Sequence, residues 1–335
     1  MTKPLVVVDA DTLGRRRTGD ETYVEQLLRT LPSVADDLRF AAITRRPELV
    51  PAGVEPLELP AGSQELRMAW SVPRLLRRAR PALAHFLHAL PLACPSPAVV
   101  TVQDLSWERD PTVMPARMRW TFKLVVRRAA RGARRVLTIS ERTKRDLVEL
   151  YGIPEEKIVV THLGVDPAFV AGDGHDSYLL FVGAIEPRKQ PLLAADAAHA
   201  LGVKLVVAGP TKDAALAEEL VRRGAELRGY VPKDELVRLY QRAACLVLPS
   251  RYEGFGLPLL EAMACGTPVA AANDEAMREV AGDAAVFGDD VVESVRRALE
   301  ERARLTRAGL ARAQAFSWED TARRTAEVYR QVIAA

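Results

Sequence analysis

The chain has 335 residues, 48% of them hydrophobic, and 47 Lys and Arg against 44 Asp and Glu, for a formal charge of +3. That length exceeds one typical domain, so two globular domains are expected, and no repeat of solenoid length or low-complexity tract argues otherwise. No apolar run reaches membrane-spanning length, the run Leu5 to Val8 is too short for a signal peptide, and the near-neutral total gives no reason to expect nucleic-acid binding.

Cys94, Cys245 and Cys265 are far apart, odd in number and set among apolar residues, which reads as reduced core thiols and a cytoplasmic location. The charge is divided unevenly: residues 1–170 carry 26 Lys/Arg against 20 Asp/Glu, and residues 171–335 carry 21 against 24. Two domains with different ligands fit that division.

Short apolar runs alternate with helix-length amphipathic segments, the pattern of parallel sheets covered on both faces by helices. In the first half, strands are predicted at Leu5 to Val8, Phe40 to Ile43, Ala82 to Phe86, Val99 to Val102, Val136 to Ile139 and Ile158 to Thr161. The first leads into Asp9-Ala10-Asp11 and a loop ending at Thr18-Gly19-Asp20-Glu21, where Thr18 and Glu21 suit a capping box. Asp9 and Asp11 invite a metal reading, against the blander one that they cap a strand exit and bond the loop backbone. His85 lies near the end of the third strand and His88 just past it, and alternation predicts that one of the two is buried. Gln103-Asp104 follows the fourth. Residues 115–135 hold eight Lys/Arg and no acid, interleaved with Trp120, Phe122, Leu124, Val125 and Val126. Such a run suits either a surface for anionic lipid or a helix packed on its sheet with solvated arginines, the commoner case.

The polar, glycine-bearing stretch 171–177 suits an interdomain linker, giving an N-terminal domain over 1–170, a C-terminal domain over 177–315, and a last segment, 316–335, whose helix is capped by Ser317 and expected to cross back. In the second half, strands are predicted at Tyr178 to Val182, Lys204 to Ala208, Glu226 to Leu227, Cys245 to Leu248, Val269 to Ala271 and Ala285 to Phe287. Arg188 and Lys189 follow the first of these. Open parallel sheets bind ligands at that edge, where two cations can offset the charge of a departing diphosphate. Gly183, Gly209 and Tyr230 stand at neighbouring strand exits.

The most informative segment runs from Leu246 to Val269. Gly254-Phe255-Gly256 opens a helix predicted over 258 to 265, with Pro258 at its first position and Gly266 just beyond its end. A helix beginning there offers backbone N–H groups to an anion, and the glycines allow close approach to the main chain. Glu253 comes from the preceding loop. Glu261, placed in the first turn, leans back toward the same end. Two carboxylates beside a diphosphate make sense as acceptors for hydroxyl groups, although helix-end charges alone would also be favoured by the dipole.

Glu253 and Glu261 separated by seven residues, with Glu253-Gly254-Phe255-Gly256 opening the run, resemble the donor motif of glycosyltransferase family 4. The resemblance covers nearly the full chain, strongest from 136 to 285. It implies a GT-B fold, two Rossmann-like domains facing across a cleft, and transfer of a hexose with retention of configuration. Mannose is the first expectation, from a GDP, UDP or dTDP sugar, with no further cofactor and no metal. The acceptor would be a hydroxyl of a glycan, a lipid-linked carrier or a small molecule, at the cytoplasmic side and with membrane contact through 115–135 in view.

By the same resemblance Arg188 and Lys189 stabilise the leaving diphosphate and Glu253 bonds the donor sugar. Phe255, Gly256 and Leu257 line the site, Glu261 holds the ribose, and Tyr230 lies by the base. His88, or as second choice His85, would bond a sugar hydroxyl near the reacting carbon; Gly19 and Asp104 would belong to the same cleft. The chain departs from the family at Gln190 for Asn, Gln103 for His, and Glu21 for a second glycine. The alternatives are a non-hydrolysing nucleotide-sugar epimerase, which needs acid and base groups instead of an acceptor pocket, and a nucleotide-sugar-binding subunit without turnover.

Overall fold

The structure is a computed structural model and describes residues 3–15, 18–60, 62–110, 114–172, 174 and 177–335, with the side chain of Thr18 also outside the description. It divides into two compact units. The first comprises Met1–Glu108, Ala116–Gly164 and Ser317–Ala335, and the second Arg109–Pro115 and Val165–Phe316.

The first unit is built on seven parallel strands: β1 (Leu5–Asp9), β2 (Arg39–Thr44), β3 (Val54–Glu58), β4 (Leu83–Leu87), β5 (Ala98–Val102), β6 (Arg135–Thr138) and β7 (Ile158–Val160), in the order β3-β2-β1-β4-β5-β6-β7. Both faces of the central strands are buried, which is why β5, Ala98-Val99-Val100-Thr101-Val102, is apolar but for Thr101, whose buried hydroxyl is hydrogen-bonded. β3 was not among the predicted strands. Its sequence, Val-Glu-Pro-Leu-Glu, is mostly exposed and carries Pro56, and the strand lies at the sheet edge, where a missing N–H costs no ladder bond.

The second unit repeats the plan with β8 (Tyr178–Val182), β9 (Lys204–Ala208), β10 (Glu226–Gly229), β11 (Cys245–Leu248), β12 (Val269–Ala271) and β13 (Val286–Phe287), ordered β10-β9-β8-β11-β12-β13. Its core joins Leu179, Phe181, Val207 and Val247 of the sheet to Ala194, Ala198 and Val295 of the covering helices. Strand order reverses between β8 and β11, so the loops leaving these two strands flank the crevice where doubly wound sheets take ligands.

The change of unit falls between Gly164 and Val165, which corrects the boundary expected at 171–177. The residues just before that stretch are already fastened to the second unit. Asp166 pairs with Lys233 at 2.5 Å, Phe169 packs edge-on against Tyr240 at 5.8 Å, and the Gln241 side chain donates to the Val170 carbonyl at 2.9 Å. Of the predicted linker, Asp173, His175 and Asp176 lie outside the described residues. The last helix, Trp318–Ala334, is capped by Ser317, whose hydroxyl accepts from the Asp320 amide, and it packs on the helix Thr18–Val34. Where the chain leaves and rejoins the first unit its two stretches touch: a methyl added at Gly164 would sit 2.1 Å from the Trp318 amide nitrogen.

Candidate nucleotide-sugar site

β8 ends in Gly183 and passes through a 3-10 turn, Pro187–Lys189, that brings both predicted cations to the crevice. The loop after β11 meets them there, the Arg251 amide donating to the Arg188 carbonyl at 3.0 Å. The Arg188 guanidinium donates to the Tyr252 carbonyl at 2.5 Å and to Glu186 Oε1 at 2.7 Å, with Glu253 Oε2 3.9 Å away. The Lys189 ammonium donates to Glu253 Oε1 at 2.5 Å. Arg188, Lys189 and Glu253 are therefore brought together.

Burial would raise the Glu253 carboxyl, but the charges of Lys189 and Arg188 outweigh it and hold the group below the usual carboxylate range. Its main chain is fixed as well: the Glu253 amide donates to Asp274, which caps the helix Glu275–Ala281. Glu186 was missed by sequence reasoning. It takes Arg188 on one oxygen and the Lys212 ammonium, at 2.9 Å, on the other. Burial acts to raise it too, and Lys212, Arg188 and Lys189 bring it below its ordinary value. The cluster thus sets three cations against two carboxylates, an arrangement with capacity for one more anionic group.

Gln190 closes the turn at φ 48°, in the left-handed region that a non-glycine side chain adopts at a cost. Asn is among the residues that tolerate that region best, which accounts for the family's preference here. Gly209 is required by close approach: at φ 148°, an added methyl would lie 2.0 Å from the Gly183 carbonyl oxygen. The predicted donor-side pair Gly183 and Gly209 therefore packs the exits of β8 and β9 against each other.

Gly256, at φ 99°, precedes the helix Leu257–Ala264, which has Pro258 in its first turn and no side-chain cap. The helix begins one residue earlier than predicted, and this moves Glu261 from the first turn to the second, a correction to its expected place. Gly254 and Phe255 are buried. The Phe255 ring lies edge-on to Phe316 at 5.9 Å, so what this residue can offer a ligand is its main chain.

Glu261 belongs to a second cluster with partners of its own. The hydroxyl of Tyr240, a wholly buried residue, donates to Glu261 Oε2 at 2.8 Å. Desolvation pushes the Glu261 carboxyl up to about 7; the Tyr240 bond and Lys233 act against the rise, and Asp166 adds to it. Tyr230 stands exposed just past β10. Sequence reasoning gave no sign of Tyr240, whose position 21 residues before Glu261 carries no motif.

In the first unit, His85 and His88 separate as strand alternation requires. His85 is completely buried, its Nδ1 2.6 Å from the Tyr329 hydroxyl and its Nε2 2.7 Å from Thr101 Oγ1, and burial pushes it down to about 3. Both ring nitrogens are occupied inside the core, so His85 is a structural residue and not an acceptor contact. His88 lies past β4 at φ 57°, with Nε2 3.4 Å from Asp20 and a buried Nδ1 without a partner. Burial lowers its basicity, but Asp20 and Asp104 raise it above the ordinary histidine value.

Asp104 accepts from the Ser106 amide at 2.9 Å, and Gly19 lies in the first turn of the helix Thr18–Val34, beside the Gln103 side chain. Glu21 accepts from the Gly14 amide at 2.7 Å; Thr18, its expected capping partner, lies outside the described side chains. Asp11 takes Arg45 through two hydrogen bonds, of 2.8 and 2.9 Å, as well as Arg15, and Asp9 takes Arg67 at 2.7 Å. These guanidinium groups occupy the carboxylates that invited a metal reading. Among the described residues no group of three or more His, Cys, Asp or Glu is placed to hold a metal ion. Cavities of about 390 and 400 Å³ also lie in this unit, one lined by residues including Lys3, Asp36 and Glu55 and one by residues including Asp11, Arg15 and Arg45.

Residues 17–169 match the family described as Glycosyltransferase Family 4, and residues 168–311 match Glycosyl transferases group 1. The chain is 31% identical over 268 residues to the O-antigen chain mannosyltransferase B of Escherichia coli, covering 70% of each chain. It is 32% identical over 242 residues to a D-inositol 3-phosphate glycosyltransferase of Acidothermus cellulolyticus, covering 60% of this chain and 54% of the relative, little more than half its length. Among solved structures, a sucrose-phosphate synthase from Thermosynechococcus elongatus aligns over 99% of both chains with a TM-score of 0.80 at 17% identity. The Anabaena protein HepE in complex with UDP-glucose aligns over 98% of this chain and 100% of its own, with a TM-score of 0.77 at 16% identity. With its two doubly wound units and this degree of kinship, the chain belongs to glycosyltransferase family 4 and has the GT-B fold.

Proposed function

We propose that the chain moves a hexose, mannose foremost, from a nucleoside-diphosphate sugar to a hydroxyl acceptor, with retention at the anomeric carbon. The reading is carried by one observation: Arg188, Lys189 and a carboxylate held ionised, Glu253, meet in the crevice between β8 and β11. The UDP-glucose complex of a protein with this fold supports a nucleotide-sugar donor, and the mannosyltransferase relative supports mannose.

In this scheme the donor diphosphate takes the capacity for an anion beside Arg188 and Lys189, and both cations stabilise the charge that grows as the nucleoside diphosphate leaves. Lys189 turns part of its bonding from Glu253 to the phosphate, and Glu253 accepts from the sugar hydroxyls. Main-chain groups at Gly254, Phe255, Gly256 and Leu257 line the same place, and Glu261 accepts from the ribose. Tyr230 lies by the base. The acceptor binds to the first unit, with His88 and Asp104 as the polar groups there and Gly19 beside them. The acceptor proton passes to the leaving phosphate in a front-face displacement, so no enzyme nucleophile is needed and no metal is assigned.

The domain roles follow: donor to the second unit, acceptor to the first, a glycan, lipid-linked or small-molecule hydroxyl. The three free cysteines suit a cytoplasmic protein. Thermal-shift screening against GDP, UDP and dTDP sugars identifies the donor, and product analysis by NMR then reads the new linkage. A stabilising donor with an axial product from an axial sugar is the expected result. Release of an epimerised sugar without any acceptor would replace this reading with the epimerase.

A further inference from the structure

The loops that leave β1 and β2 enclose the cavity of about 400 Å³ in the first unit, lined by Asp11, Leu13, Gly14, Arg15, Arg45 and Arg46. Arginine supplies half of that lining, and a single residue of it is an acid. The place itself is suggestive, because open parallel sheets take ligands beyond the carboxyl ends of their strands. Nothing in the donor scheme uses these residues.

The arginines are held from behind. Asp9 and Asp11 are buried, and between them they take three guanidinium groups. Arg45 grips Asp11 with bonds of 2.8 and 2.9 Å, Arg15 joins the same carboxylate, and Arg67 bonds Asp9 at 2.7 Å with Asp11 3.4 Å away. Arg46 pairs with the exposed Glu48. Gly14 turns close beneath it at φ 75°, where an added methyl would lie 3.0 Å from Arg46 Nη1.

Two carboxylates need two cations, and this network has a third. It is also short of acceptors, since the Arg67 Nε is buried with no hydrogen-bond partner among the described residues. A network that only fastened the β1 loop would be closed on itself. Here Arg15 and Arg45 keep 27% and 33% of their side chains exposed and line the cavity.

An oxyanion supplies what is lacking. Its oxygens accept from several guanidinium forks at once, and forks already fixed by buried carboxylates lose little freedom on binding. The cavity has the volume of a small-molecule site. We propose that it receives an oxyanion group of the acceptor, a phosphate foremost, so that the hydroxyl compound glycosylated by this chain is itself an anion. The proposal rests on the reading that the first unit takes the acceptor.

Calorimetric titration with inorganic phosphate, glucose 6-phosphate and glucose in about 0.05 M salt, where screening is weak, tests it. Two variants of the full chain separate this site from the donor cations: Arg188→Ala with Lys189→Ala, and Arg15→Gln with Arg46→Gln. Both phosphates are expected to bind the parent and to keep that binding in the first variant, while glucose binds neither protein. The second variant should bind both phosphates at least about tenfold more weakly. Asp11 keeps Arg45 and Arg67 there, so its thermal melting should match the parent's and nucleotide sugars should shift it equally. Those nucleotide-sugar shifts check the transferase reading by themselves, and the phosphate titrations do not depend on them.

Phosphate binding that vanishes in the Arg188 and Lys189 variant, or that persists undiminished in the Arg15 and Arg46 variant, would overturn the proposal. So would the absence of binding by either phosphate. Inorganic phosphate bound where glucose 6-phosphate is refused would overturn it too, since the cavity would then hold a free anion and no acceptor.

Discussion

Tyr240→Phe removes a single oxygen from the interior of the second unit, the one that donates to Glu261 at 2.8 Å. A hydrogen bond to a charged group is worth about 1.5 to 3 kcal/mol. At about 1.4 kcal/mol per pK unit, its loss should carry the Glu261 midpoint from about 7 to roughly 8 or 9. If the ionised carboxylate is what accepts from the ribose, the parent's affinity for its nucleoside diphosphate rises as pH passes through about 7. In the variant the same rise comes one to two units later, leaving binding at pH 7 weaker by roughly five- to fifty-fold and the two proteins nearly equal above about pH 9.5.

Stability without ligand runs the other way. A carboxyl raised above its ordinary 4.5 keeps a proton in the native state that the unfolded chain has lost, so this group's contribution falls as pH climbs from 4.5 to about 7. Calorimetric titration of the nucleoside diphosphate between pH 6 and 9.5 reads the first effect, and urea unfolding over pH 4.5 to 8 reads the second. Coincident binding midpoints for parent and variant would refute the assignment of Glu261 to the ribose through a Tyr240-held carboxylate.

Arg188→Ala and Lys189→Ala should each lower turnover about 100- to 1000-fold in a donor-saturated assay, and unchanged turnover in both would remove them from the leaving-group site. His85→Leu roughly keeps the volume but takes the buried Tyr329 hydroxyl's partner away, while Thr101 keeps the Tyr23 hydroxyl at 3.0 Å, and urea unfolding should show a loss of about 1 to 3 kcal/mol from the first unit. Gly209→Ala forces a methyl against the Gly183 carbonyl at φ 148°; a loss of more than about 3 kcal/mol is expected by the same measurement on the second unit.

The parts of this molecule that could be read in the sequence are those fixed by local chemistry. Buried parallel strands declare themselves as largely apolar runs, and Gly256, Pro258 and Gly266 each answer a backbone requirement of the residue in place, so the helix between them could be placed within one residue. Alternation showed that one of His85 and His88 must be inside, but which one depends on Tyr329, 244 residues away. Shorter separations, still beyond any local pattern, hid Tyr240 from Glu261, 21 residues on, Arg67 from Asp9, 58 residues back, and the anchoring of Asp166 on Lys233, which misplaced the boundary. β3 escaped because an edge strand needs neither a continuous apolar run nor every amide.

The return of residues 317–335 to the first unit makes one half of this protein wait for the other. During synthesis the second unit has its whole sheet and all its helices before the ribosome has made Tyr329, the partner of His85, whereas the first unit still lacks the helix that covers β4. A chain truncated at residue 316 and released should therefore hold a protease-resistant second unit while its first unit is still open to cleavage.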